Sequence, residues 1–156
     1  MIEIKIPGYR KLELKQLVLD YNGTLACDGE LLGGVKEALT ALSEQLTIHV
    51  ITADTFGKVR SGMVGIPCQI HVFPVENQDT GKLEYIRKLN AAHTVSIGNG
   101  RNDRMMLKES ALGIAVILNE GAAVETILAA DVVCTDIVCA LELLLHPLRL
   151  TATLRS

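Results

Sequence analysis

Asp20 closes the apolar run Leu17-Val18-Leu19 and opens the turn Asp20-Tyr21-Asn22-Gly23-Thr24. A strand that delivers a carboxylate from an apolar interior into a turn needs compensation, because an unpaired buried charge is expensive. A metal ion, a lysine or a phosphate supplies it. Two further strand ends carry polar groups: Thr52-Ala53-Asp54 and Gly98-Asn99-Gly100-Arg101-Asn102-Asp103. Lys82 follows Gly81 where a helix is expected to start. One carboxylate, one hydroxyl, one ammonium and a Gly-rich Asn/Asp loop are the parts needed for phosphoryl transfer to a carboxylate nucleophile. Asp20 would attack phosphorus in line. Thr52 would donate to a phosphoryl oxygen, and Lys82 would neutralise charge on the phosphoryl group and on Asp20. Gly23 lets the backbone turn sharply and expose N–H groups to an anion. Mg²⁺ takes hard oxygen ligands, often one or two carboxylates plus water and phosphate. Asp20 and Asp103 are the carboxylates on offer.

These groups meet only if the elements bring them to one edge. Strands are expected at 2–6, 11–14, 16–21, 46–51, 69–73, 94–98, 112–117 and 131–134. Several are continuously apolar, as in Ile48-His49-Val50-Ile51, the pattern of strands covered on both faces. Helical spacing falls on Val35, Ala38, Leu39 and Leu42, then within 82–90, 102–109, 120–129 and 136–145. Asp54 reads equally as a cap for a helical turn over 55–60. Alternating strands and helices predict an α/β fold: a three-layer sandwich around a mainly parallel, Rossmann-like sheet with right-handed crossovers. A parallel sheet gathers the carboxyl ends of its strands on one rim, where ligands bind. With no linker or repeat, the 156 residues are expected to form one domain, with 1–15 a strand extension and 147–156 an apolar tail.

Composition narrows the function. The chain is 49% hydrophobic with a net charge of −3 and 3% aromatic residues. It has no basic patch, so nucleic-acid binding is not expected. No run reaches about 18 uncharged apolar residues, so no membrane span is expected. Cys27, Cys68, Cys134 and Cys139 form no CxxC pair. They read as buried reduced thiols in a cytoplasmic protein rather than a zinc or disulfide framework. His49 and His71 lie in apolar strand-like runs and read as packing residues.

The motifs resemble the haloacid dehalogenase superfamily of phosphohydrolases. More narrowly, they look like the phosphorylation domain of P-type ATPases in a soluble, capless form. The family's aspartate followed by a Gly-Thr turn is matched by Asp20 to Thr24, and its strand-ending threonine by Thr52. Pumps read Thr-Gly-Asp there, and this chain reads Thr52-Ala53-Asp54. The family's lysine at a helix start is matched by Lys82. Its Gly-Asp-Gly-x-Asn-Asp is matched by Gly98 to Asp103. The four motifs occur in order between about 17 and 117. The resemblance implies Asp20 as nucleophile and Mg²⁺ as cofactor, held by Asp20, the backbone carbonyl of Asn22, Asn99 and Asp103. It implies Thr52 and Lys82 on the phosphoryl group, Asn102 in support, and Tyr21, Gly23, Thr24 and Ala53 beside the substrate. The substrate would be a small phosphate ester or a phosphorylated macromolecule.

Two positions depart from the family. Family phosphatases carry a second aspartate, the general acid/base, where this chain has Asn22. Such help is worth about 10²–10⁴-fold, so a slowly hydrolysed aspartyl-phosphate is expected. Pumps have threonine there. Asn99 stands where the family has aspartate, which weakens the expected hold on Mg²⁺. About ten residues separate Thr24 from the Val35 helix, and about 18 separate Thr52 from the next strand. No large cap is expected, only a flap at 26–30. An apolar composition with a capless site favours an oligomer. The competing readings are a catalytically impaired binding or regulatory module that kept the fold, and a signalling receiver domain. Receivers need an acidic pair on an earlier strand, and upstream of Asp20 there are only Glu3 and Glu13.

Overall fold

The computed structural model describes residues 1–54 and 57–156. Among the described residues ten strands and seven α-helices follow one another. The order is β1 Ile2–Lys5, β2 Lys11–Leu14, β3 Gln16–Asp20, β4 Ala26–Cys27, β5 Glu30–Leu31, α1 Val35–Leu42, β6 Thr47–Thr52, α2 Val59–Gly62 and β7 Gln69–Val72. Then come α3 Gln78–Lys88, β8 Thr94–Gly98, α4 Arg104–Glu109, β9 Leu112–Val116, α5 Val124–Ala129, β10 Val132–Cys134, α6 Ile137–Leu145 and α7 Pro147–Leu154. The central sheet has six strands in the order β10-β9-β8-β3-β6-β7, and every pairing in it is parallel. The Asp20 strand therefore lies inside the sheet. Leu17 sits in register with Ile48 on one side and Val95 on the other.

The alternation of β3 decides where its last residues point. Successive side chains leave opposite faces of a strand. Leu17 and Leu19 pack into the larger core, with Val35, Leu39 and Leu42 of α1 and Leu141 and Leu144 of α6. Val18 points the other way, into a smaller core with Ile86 of α3 and Met106 and Leu107 of α4. Asp20 shares the parity of Val18 and so leaves on the α3 side. Tyr21 shares the parity of Leu19 and belongs to the larger core.

Several boundaries differ from the sequence reading. Helix α3 starts four residues before Lys82, from a left-handed Asn77. Gln78-Asp79-Thr80-Gly81 has no apolar spacing to announce a helix, so Lys82 lies one turn inside rather than at the start. Residues 101–103 form a 3₁₀ turn ahead of α4, and the expected helix 120–129 begins only at Val124. Asp54 accepts from the Val59 N–H at the start of α2, while positions 55 and 56 of the expected 55–60 turn lie outside the described residues. The tail after Pro147 is helix α7, with Pro in its first turn and Leu150 fully buried. Its end returns to the β1–β2 hairpin, where the Ser156 N–H donates to the Pro7 carbonyl at 3.1 Å. That hairpin pairs Ile2 with Leu14 and buries both.

His71 is exposed because β7 is the edge of the sheet, whereas His49 is buried. The thiols are less buried than expected: three are half-buried and Cys139 is exposed, and all four are free. Among the described residues no single helix is long and apolar enough to cross a membrane. The segment read as a flap is the two-stranded β4–β5 hairpin, which pairs Ala26 with Leu31 and Cys27 with Glu30.

Candidate active site

Three strand ends and one helix build the site. Asp20 ends β3, Thr52 ends β6, and the loop Asn99–Asp103 follows β8. Lys82 comes up from α3 and is 1% exposed. Its Nζ donates to Asp20 Oδ1 at 2.8 Å, to Asp103 Oδ1 at 2.6 Å and to Asn102 Oδ1 at 3.2 Å. An ammonium has three N–H donors, so all are spent. The second oxygen of Asp103 accepts the N–H groups of Asn99 at 3.0 Å and Gly100 at 2.9 Å. The second oxygen of Asp20 accepts from the Thr24 hydroxyl at 3.3 Å, which also lies 3.2 Å from Asn99 Oδ1.

Above Asp20 is a cavity of about 140 Å³. Asn22, Thr52, Ala53, Asn99, Gly100 and Asn102 line it with Asp20 and Gln78. Thr52 is fixed by the Asp54 N–H, which donates to its Oγ1 at 2.9 Å. Among the described residues the Thr52 hydroxyl donates to no protein acceptor, and Thr52 lines the cavity. Burial is the main cause that raises the Asp20 carboxyl, to about 7; the Asp103 charge adds to it, and Lys82 pulls the other way. For Lys82 burial opposes the charge, but Asp103 and Asp20 outweigh it and raise the ammonium above its usual range.

The fold thus brings Asp20, Asn22, Thr52, Ala53, Asn99 and Asn102 to one cavity and sets Lys82 and Asp103 beneath it. Of the residues expected beside the substrate, Gly23, Thr24 and Tyr21 do not line this cavity; Thr24 is fully buried, and Tyr21 points away from it. Its parity turns it into the larger core, where its hydroxyl donates to the Gly29 carbonyl at 3.0 Å under the hairpin. Gly23 has φ +80°, and a Cβ there would lie 2.4 Å from Asn99 Nδ2. It therefore permits the close approach of two loops, and it lines a neighbouring cavity of about 370 Å³. Gln78 was missed by the sequence reading. Its Oε1 accepts from Asn102 Nδ2 at 2.6 Å, which turns the Asn102 oxygen toward Lys82. The signal was its i, i+4 spacing to Lys82, legible only once α3 is known to begin at Gln78.

Comparison with known proteins bears on this geometry. No family model matches the chain. The uncharacterized protein MJ0073 of Methanocaldococcus jannaschii is 50% identical over 75 residues, covering 47% of this chain and 81% of that protein. The uncharacterized protein MJ0072 of the same organism is 51% identical over 39 residues, covering 25% of this chain and 89% of that protein. The chain belongs to the family of these two archaeal proteins. Among solved structures, it is similar to the 3-deoxy-D-manno-octulosonate 8-phosphate phosphatase of Moraxella catarrhalis, solved with magnesium, phosphate and the sugar acid. That match has a TM-score of 0.70 at 20% identity and covers 85% of this chain and 86% of that one. A haloacid dehalogenase superfamily hydrolase of Legionella pneumophila gives a TM-score of 0.72 at 17% identity, covering 90% and 87%. A phospho-aspartyl intermediate analogue of phosphoserine phosphatase gives 0.63 at 16%, covering 86% and 99%. The fold is the haloacid dehalogenase fold, without a large cap.

In that fold the fit of a metal is a question for this chain's own donors. Among the described residues no three His, Cys, Asp or Glu side chains converge on a metal position. Asp103, expected among the ligands, has both oxygens engaged by protein donors. At the cavity wall itself the oxygens on offer are the free side of Asp20 and the amide oxygens of Asn22 and Asn99. Asn22 Oδ1 is buried and has no hydrogen-bond partner among the described residues. An orphaned buried acceptor costs about 1–3 kcal/mol, and a hard cation would satisfy it. Asp20 and Asp103 against Lys82 also leave the cluster one negative charge in excess. An all-oxygen set of this charge fits Mg²⁺, completed by water and phosphate.

Proposed function

We propose that the protein is a Mg²⁺-dependent phosphohydrolase or phosphotransferase that works through an aspartyl-phosphate on Asp20. One observation carries the reading. Asp20 is locked by Lys82 through one oxygen, and it borders a small polar cavity lined by Thr52, Asn99 and the unpartnered Asn22 oxygen. The magnesium and phosphate in one structural neighbour, and the phospho-aspartyl analogue in another, support it.

The roles follow from the contacts. Lys82 holds Asp20 in one rotamer and favours its ionised form. The free side of Asp20 attacks phosphorus, and the bond to the leaving oxygen breaks. The Thr52 hydroxyl donates to a phosphoryl oxygen. Asn102, turned by Gln78, completes the acceptors around the ammonium. Mg²⁺, held by Asp20, Asn22 and Asn99, would neutralise charge on the phosphoryl group. Water then attacks phosphorus and returns the carboxylate. Asn22 cannot take the proton of that water, so this second step is slow. The hairpin leaves the rim open, which suits a small phosphate ester or a phosphorylated macromolecule.

The test is phosphate release from p-nitrophenyl phosphate, with and without Mg²⁺, by the wild type and Asp20→Asn. Release should need both the ion and Asp20. Equal rates in the two proteins would end the proposal. The alternative, a binding module that lost turnover, is motivated by Asn22 and Asn99. It predicts tight binding of beryllofluoride with Mg²⁺ by calorimetry and no release.

A further inference from the structure

We infer that the protein assembles as a two-fold dimer through the free edge of its sheet, β7 of one copy pairing antiparallel with β7 of a second. The inference stands apart from the proposed function. Its first observation is an unguarded edge. Among the described residues β7 is the last strand of the six-stranded sheet and pairs only with β6, in an unbroken register. The run Gln69-Ile70-His71-Val72-Phe73 holds no charged residue and no proline. Free strand edges are usually blunted by lysine, proline or a bulge, because their unpaired N–H and C=O groups recruit another strand. The other strands at the margins are guarded. The β1–β2 hairpin carries Glu3, Lys5, Lys11 and Glu13, and β10, at the far edge of the central sheet, has three residues only.

The second observation is that this edge complements itself. The Phe73 N–H donates to the Thr52 carbonyl at 2.8 Å, so the Phe73 backbone is turned toward β6. Backbone groups alternate sides along a strand. Those of His71 then also face β6, and those of Ile70 and Val72 face outward. A two-fold axis through His71 sets Ile70 of each copy opposite Val72 of the other. Each such pair exchanges both N–H···O bonds, and every outward group of the two residues is used. An axis through Val72 would set Ile70 against Pro74, which has no N–H to give. An axis through Ile70 would set Val72 against Cys68, outside the strand.

The side chains agree with the His71 register. Val72 is 41% exposed and shares a face with Ile70, so each covers the other across the axis. On the opposite face the His71 ring centroid lies 4.6 Å from Phe73 and 5.1 Å from Tyr85. The axis brings this aromatic face against its own copy and sets Gln69 opposite Phe73. β-Branched and aromatic cross-strand pairs of this kind stabilise antiparallel strands. The same patch serves on both copies, so the contact is isologous and closes at two. A second copy is therefore the occupant that this edge matches residue for residue.

The experiment is sedimentation of the full chain from micromolar to millimolar concentration, joined to cross-linking and hydrogen exchange. The wild type should sediment as a dimer. His71→Lys sets two ammonium groups face to face at the axis and should weaken the dimer about tenfold or more, less so at high salt. Residue 71 is exposed, so the far-ultraviolet circular dichroism should not change. A non-hydrogen-bonded antiparallel pair holds its Cα atoms about 4.5 Å apart, within the span of a disulfide. His71→Cys, with the exposed Cys139 replaced by serine, should therefore give a covalent dimer on mild oxidation with copper phenanthroline. Gln69→Cys in the same background should not, since it lies about 13 Å along the strands from its own copy. The Ile70 and Val72 amides should be protected from exchange in the wild type and should exchange fast in His71→Lys diluted to monomer. Should His71→Lys fail to fold, cross-linking and wild-type exchange decide. A wild type that stays monomeric throughout overturns the inference. So does a dimer whose Ile70 and Val72 amides exchange freely, or one that cross-links through Gln69→Cys and not through His71→Cys.

Discussion

Lys82 Nζ lies 2.6 Å from Asp103 Oδ1, and neither side chain is reached by more than a trace of solvent. The pair is a triad with Asp20. Removing one partner of a buried ion pair typically costs about 3–5 kcal/mol, because the remaining charge is uncompensated. Lys82→Met leaves two facing carboxylates in the interior and should lose about that much, read by urea denaturation at pH 7. Adding Asp20→Asn removes one of the stranded charges and should restore part of it. A double variant no more stable than the single would show that the lysine acts through packing of its stem alone.

Asp20 itself is predicted to be a liability for stability. Its folded-state pKa, about 7, is above the usual carboxylate range, chiefly through burial. The folded protein therefore binds more protons than the unfolded chain between about 4 and about 7, and stability falls as pH rises through that window. Asp20→Asn cancels the loss. Without Mg²⁺, the variant should melt above the wild type at pH 8, with the difference shrinking toward pH 4. Each 1 kcal/mol of relief corresponds to about 2–4 °C for a chain of this size. A wild type that melts higher than the variant at pH 8 would falsify the prediction.

Much of this arrangement was legible before any coordinates. The eight main strands were readable because apolar runs such as Val95-Ser96-Ile97 and Leu112 to Val116 are continuous and bounded by turn residues. The convergence of Asp20, Thr52 and Asn99 followed from parallel strand order alone. The start of α3 was not readable, because Gln78 to Gly81 buries no apolar side chain and carries no periodic signal. The same four residues hid the role of Gln78. Tyr21 was misplaced because a motif read as a string ignores alternation. Its neighbour Asp20 faces α3, and Tyr21 must face away. The full burial of Asp103 against Lys82 and two backbone N–H groups is a tertiary fact with no local signature.

His49 gives a pH dependence of opposite sign. Its ring is 2% exposed and bridges Tyr85 Oη at 2.9 Å and Gln16 Oε1 at 2.8 Å. Burial lowers its pKa. The folded state then resists protonation while the unfolded chain takes a proton below about 6.5. Stability should be flat above that value on account of this residue and should decline as pH falls beneath it. His49→Phe should flatten the acid side of the profile relative to the wild type, measured as Tm between pH 5 and 7.

Gly23→Ala tests the close approach of two loops. The φ of +80° disfavours any side chain, and the added Cβ would meet Asn99 Nδ2 at 2.4 Å. Asn99 would have to move from the Gly121 carbonyl to which it donates at 3.0 Å. The expected cost is about 1–3 kcal/mol of stability, of the size usual for strained backbone positions. On the proposed function, turnover should fall further than stability explains, since Asn99 lines the cavity.

Asn99→Asp should exchange stability for metal affinity. In the wild type the Asn99 amide donates through Nδ2 to Gly121 and presents Oδ1 beside Thr24 and the cavity. An aspartate keeps the oxygen but sets a second, charged oxygen against the Gly121 carbonyl. It also adds a negative charge to a cluster that already carries one in excess. Without metal the variant should therefore melt below the wild type. With Mg²⁺ the added charge becomes a hard anionic ligand, and the order should reverse. Stabilisation by a ligand grows as RT ln(1 + [L]/Kd), so a tenfold tighter site adds about 1.4 kcal/mol at saturating ion. The measurement is Tm against Mg²⁺ concentration for both proteins. A larger metal-induced rise in Asn99→Asp supports placing Asn99 at the ion. Equal rises would move the ion away from Asn99 and leave Asp20 and Asn22 as its protein ligands.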